Sequence, residues 1–107
     1  MIARIWRGVA KTPANADAYE RHVTQTVFPS LAAIPGHRGA RVLRRSASGR
    51  IEFLVITFWD SMASIRKFAG QAAESAVVEP EARAVLAEYD DFVQHYEITH
   101  AAGDPVA

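Results

Sequence analysis

Arg4, Trp6, His22 and His95 are the residues of this 107-residue chain whose types and spacing could do chemistry. Arg4 and Trp6 stand two residues apart, so an extended backbone puts both side chains on one face. Together they form either an aromatic wall with a cation for a phenolate or carboxylate, or a core indole beside a snorkelling arginine. His22 follows Tyr19 by three residues, at the edge of a helical apolar stripe. It is either a base facing a cavity or a half-buried structural histidine. His95, in "QHYEI", alternates with Glu97 against Gln94, Tyr96 and Ile98. An imidazole titrates near neutral pH and suits a general base, although a strand histidine at a subunit interface is equally ordinary. Trp59 ends an apolar run just before a helix cap and fits either core or pocket rim. His37, in the turn cluster "IPGHRG", is expected to be solvated, and His100 belongs to the tail.

Other chemistry is poorly supported. The four histidines show no HxxxH or HExxH spacing and no clustered carboxylates beside them, so no metal site is expected. Arg38, Arg41, Arg44, Arg45 and Arg50 gather around one strand and its hairpin. Without interleaved stacking aromatics, they read as guards of a sheet edge rather than as a nucleic-acid patch. "GVAKT" is no phosphate loop.

These side chains need elements to position them. "IARIWRGVA" (2–10) reads as a first strand. Thr12-Pro13 starts a helix, with threonine as N-cap and proline at the first helical position. Its apolar positions are Ala16, Tyr19, Val23, Val27 and Leu31, and Pro29 should end or kink it near Phe28. "ARVLRRSA" and "RIEFLVITFW" flank Ser48-Gly49 as a hairpin. Asp60 or Ser61 caps a second helix, with Met62, Ile65 and Phe68 inward and Gly70 closing it. Residues 71–88 read as irregular helical turns restarted at Pro80, and 91–100 as a fourth strand. Residues 1–100 form one domain, and 101–107 are expected to fray.

The order β-α-β-β-α-β specifies an α+β, ferredoxin-like fold: a four-stranded antiparallel sheet with both helices on one face. In the third strand Ile51, Phe53, Val55, Thr57 and Trp59 share one face, and Leu54, Ile56 and Phe58 share the other with Glu52. Both faces are apolar, yet the helices can cover only one. A second copy packed sheet to sheet is the expected cover, since soluble monomers rarely leave so large a patch open.

The bulk numbers agree with one small folded domain. Half the residues are hydrophobic and 22% are charged. Twelve basic and twelve acidic residues cancel, so no global field favours nucleic acid or an acidic membrane surface. No cysteine is present, and neither a signal peptide nor a membrane-spanning run is visible; a cytoplasmic protein is expected.

"MIARIWRG", "PGHRG", "VLRR", "EFLVITFWDSMASIRKFAG" and "HYEI", in this order and spacing, resemble the antibiotic biosynthesis monooxygenase family over residues 1–99. The resemblance implies a dimeric α/β barrel with a pocket between sheet and helices in each subunit. The family includes cofactor-free oxygenases of aromatic polyketides, heme-degrading enzymes and small-molecule isomerases. Its heme-degrading branch carries an asparagine on strand one, a tryptophan near the end of helix two and a heme-ligating histidine ten residues later. Those positions fall on Trp6, Phe68 and Val78, and all three differ. The cofactor-free branch requires only an apolar cavity, a base and orienting polar groups. The resemblance therefore implies a monooxygenase without cofactor acting on a small aromatic or polyketide-like molecule. Trp6, Trp59 and Phe68 would serve as walls, Arg4 as anion partner, and His22 or His95 as base. The alternative is a non-catalytic, ligand-binding or stress-related barrel dimer.

Overall fold

Alternation of large apolar side chains along Arg50–Trp59 makes this strand, β3, the centre of the sheet in the computed structural model, which describes residues 1–103. It pairs antiparallel with β1 (Ile2–Ala10) from Ile2↔Trp59 to Ala10↔Ile51, and with β2 (His37–Ala47) from His37↔Trp59 to Ala47↔Arg50. Ser48 and Gly49 both take positive φ between β2 and β3, the geometry a two-residue hairpin loop requires. Phe53, Thr57 and Trp59 are buried on the helix side, and Leu54, Ile56 and Phe58 are half-buried on the other. The expected division of the two faces therefore holds.

The first helix starts as its residues dictate. Thr12 Oγ1 accepts from the Asn15 N–H at 3.1 Å, and α1 runs Pro13–His22. Pro29 does not end it. A π-helical stretch, Val23–Val27, widens the turn ahead of the proline, and α2 continues Phe28–Ala32 with Pro29 in its first turn. Tyr19, Val23 and Leu31 keep facing the sheet across this irregularity. Ser61, rather than Asp60, caps α3 (Met62–Ala69) by accepting from the Ser64 N–H. A short α4, Pro80–Val85, follows the irregular segment after Gly70.

The fourth strand differs from the expected continuous run over 91–100. It shortens to β5 (Gln94–Glu97), and a further two-residue strand, β4 (Glu88–Tyr89), forms ahead of it, beginning within the stretch expected to be helical turns. Both pair with β1, so the sheet has five strands in the order β2-β3-β1-β4, with β5 also beside β1. Between them the chain pairs with the segment before α4 instead: the Ala76 N–H donates to the Asp91 carbonyl and the Val93 N–H to the Glu74 carbonyl. That interruption brings residues 73–76 against β1. Of the expected frayed tail, residues 104–107 lie outside the described residues. Among the described residues no helix is long and apolar enough to cross a membrane.

Candidate functional site

The inner face of β1, together with α1, α2, α3 and the segment before α4, encloses a narrow apolar cavity of about 70 Å³. It lies within a cleft whose empty space, open mouth included, is about 610 Å³. Arg4 and Trp6 line it from β1, Tyr19 and His22 from α1, Phe68 from α3, and Val78 and Glu79 from the segment before α4. The Trp6 indole lies over Gly8, where an added Cβ would meet its ring at 2.8 Å, and its Nε1–H donates to the Asp90 carbonyl at 2.8 Å. Gly8 and the break in the fourth strand thus fix this wall.

Arg4 is only 5% exposed. Its Nη1 donates to the Ala73 carbonyl at 2.6 Å and its Nη2 to the Ser75 carbonyl at 2.9 Å, both from the segment that the strand break draws in. Phe68 lies 5.6 Å from the guanidinium carbon. No carboxylate pairs with Arg4 among the described residues, and Glu74 acts on it only through space. Burial lowers its pKa to about 10, so it stays charged at neutral pH. A cation in this position is held by neutral carbonyls and faces an apolar cavity. It is a ready partner for an anion.

The two candidate bases are placed differently. Arg4 Nη1 lies 3.0 Å from His95 Nε2. A guanidinium only donates, so Nε2 is the acceptor and the ring proton belongs on Nδ1. Burial, then the Arg4 charge, depresses the His95 pKa. His95 is therefore a neutral ring whose lone pair is engaged by Arg4, beside the cavity rather than in its wall. His22 does line the cavity, and its Nε2 is shielded from solvent without a hydrogen-bond partner.

Trp59 is fully buried, donates to Thr57 Oγ1 at 2.8 Å and stacks on Phe68 at 5.9 Å. It supports the wall from behind and is absent from the lining. His37, expected to be solvated, is half-buried at the start of β2. Its ring edge meets Trp59 at 5.0 Å and its Nδ1 is shielded and unpartnered, because strand pairing extends through the turn cluster to His37↔Trp59. Burial lowers its pKa.

Tyr19 was missed as a lining residue because its place in the apolar stripe reads as core; burial pushes its phenol pKa up. Glu79 and Glu81 were also missed. A ring nitrogen of His22 and one carboxylate oxygen from each glutamate lie within 4.8 Å of one another, a grouping that no local spacing announces. The basic cluster is largely neutralised: Arg38 pairs with Asp60, Arg44 with Asp17 and Glu20, Arg45 with Glu52, and Arg50 with Glu88.

The family model of antibiotic biosynthesis monooxygenases matches residues 10–80, more than half of the chain. The chain belongs to the antibiotic biosynthesis monooxygenase family. Its fold is similar to the heme-degrader MhuD of Mycobacterium tuberculosis, with a TM-score of 0.66, 17% identity, and coverage of 96% of this chain and 100% of that one. It is similar also to SnoaB, a cofactor-independent oxygenase from Streptomyces nogalater, with a TM-score of 0.66, 16% identity, and coverage of 96% and 97%. At such identities the likeness establishes the fold. No curated protein matches the sequence. In this member of the family, Trp6, Phe68 and Val78 line one cavity together.

Proposed function

We propose that this chain is a cofactor-independent monooxygenase acting on a small, planar aromatic molecule that ionises to a phenolate or enolate. The observation that carries the reading is the buried, carboxylate-free Arg4 in the wall of an aromatic-lined cavity that also contains His22. Trp6, Tyr19 and Phe68 give flat apolar contact, Arg4 stabilises the anion, and His22 takes the phenolic proton at its unpartnered Nε2. The anion then gives an electron to dioxygen, the resulting substrate radical and superoxide combine to form a carbon–oxygen bond, and the proton held on His22 returns to give a hydroperoxide. Loss of the C–H proton with cleavage of the O–O bond releases water and leaves one oxygen on the product as a carbonyl. His95 holds the guanidinium in place.

Heme does not fit this donor set. By the resemblance, Val78 stands where the heme-degrading branch carries its ligand, and a valine side chain offers iron no donor atom. The narrowness of the cavity supports a second reading, a barrel that binds a small aromatic anion without turning it over. Both readings include a homodimer formed through the outer sheet face.

Oxygen consumption with an anthrone- or hydroquinone-type substrate, in protein purified free of metal and flavin, separates the two readings. The oxygenase reading expects turnover that falls by roughly 10²–10⁴ in His22→Ala. Saturable binding with no oxygen uptake would leave the binding protein. Activity unchanged in His22→Ala would remove the assigned base.

A further inference from the structure

We propose that His22, Glu79 and Glu81 bind one divalent transition-metal ion at the wall of the cavity. One ring nitrogen and two carboxylate oxygens lie within 4.8 Å of one another. A zinc ion at about 2.0–2.2 Å from each donor needs them roughly 3–3.5 Å apart. Closing that gap takes about an ångström of movement at two glutamate side chains, one of them exposed.

Charge points the same way. Glu79 and Glu81, like Glu74, Asp90, Asp91 and Glu97, have no salt-bridge partner among the described residues, and these two are the carboxylates that meet a histidine nitrogen as a group of three. Two like charges are thus brought beside an imidazole with no cation to offset them. The imidazole is itself incomplete, since His22 Nε2 is shielded from water and bonded to nothing. A divalent cation satisfies all three groups together.

The donor set also selects the ion. An imidazole with two carboxylates suits zinc and its neighbours in the first transition row, while magnesium prefers oxygen alone. Three protein ligands leave at least one coordination position open, and two of them, His22 and Glu79, line the cavity. Metal binding stands independently of the oxygenase reading. An ion on His22 competes with its use as a base, so zinc would inhibit a metal-free oxygenase.

Calorimetric titration of the metal-free protein with zinc chloride tests the site directly, with magnesium chloride as the contrast. One zinc ion per chain is expected, no magnesium binding, and a zinc-dependent rise in thermal midpoint. Glu79→Gln with Glu81→Gln preserves side-chain volume and should weaken zinc affinity by at least ~100-fold and abolish that rise. Absence of zinc uptake by the wild-type protein overturns the proposal, as does equal zinc affinity in the double variant, which would place the ion elsewhere, such as at His100. Because these readouts need no substrate, loss of the oxygenase reading leaves them interpretable.

Discussion

Arg4 and His95 depend on each other. The guanidinium occupies the lone pair of His95, and His95 completes a shell otherwise made of two carbonyls. Protonating His95 would set two cations against each other in a half-buried place, and burial disfavours the proton further. His37 is depressed by burial as well. For both, the folded pKa lies below the ordinary 6.5, so the unfolded chain takes up the proton first as pH falls. Stability is therefore complete above pH 6.5 and is lost as pH descends through the two depressed values. Glu52 and Asp60, which their arginines hold below the usual carboxylate range, add a separate loss at more acidic pH. Thermal midpoints measured across this range should show the histidine limb, and His95→Gln should flatten part of it. An unchanged limb in both His95→Gln and His37→Gln would refute the assignment. The pairing of Arg4 with Trp6 was legible from two-residue alternation alone. The partners of Arg4 were not, because Ala73 and Ser75 lie in a segment without periodicity, and neither was the meeting of His22 with Glu79 and Glu81, which joins α1 to residues far along the chain.

At the scale of elements, β1 works as a template whose Gly8 leaves room for its own tryptophan. A methyl group there would meet Trp6 Cη2 at 2.8 Å and Leu86 Cδ1 at 3.2 Å. Gly8→Ala should push the indole from its place, break the bond to the Asp90 carbonyl and cost about 1–3 kcal/mol. Chemical denaturation would measure the loss, and the tryptophan emission should shift with it. An unchanged stability and spectrum would mean that the wall is softer than its packing implies. The hairpin, the Ser61 cap and the start of α1 were readable because each depends on a few adjacent residues with fixed preferences. The divided fourth strand was hidden. "DFVQHYEITH" has the composition of one strand, but its first residues pair with residues 74–76, distant in sequence, and Glu88–Tyr89 lies where the sequence shows no strand alternation. The π-helical turn escaped for a related reason: Pro29 signals trouble nearby without specifying whether the helix ends or widens.

For the whole molecule, the uncovered face of the sheet matters most. Ile5 pairs with Ile56 and Leu43 with Leu54 on that face, Ala3 lies between Phe58 and Tyr96, and Leu43 and Tyr96 are 47% and 54% exposed. Two copies packed through it should bury more than about 1,000 Å², enough for a stable interface. Leu54→Asp or Ile56→Asp would place a carboxylate in its middle and should yield monomers or unfolded chains. Sedimentation at micromolar concentration decides this, and a wild-type protein that sediments as a monomer would sink the dimer. Both faces of β3 are apolar in the sequence, so the need for a cover was visible there, although the residues that would supply the proposed cover are not.

The uneven fourth strand has one more consequence, for how copies of the chain meet. With twelve acidic and twelve basic residues, the protein carries no net charge to hold its copies apart at neutral pH. Its sheet, however, has two edges along which another chain could be added. On one, β4 and β5 present two residues and then four, interrupted where the backbone turns to pair elsewhere. On the other, β2 carries arginines along its length. The first edge is short and broken, and the second, eleven residues long, is guarded by its charged side chains rather than by its length. Strand-to-strand growth is disfavoured at both ends, which leaves the apolar flat of the sheet as the surface for the proposed second copy.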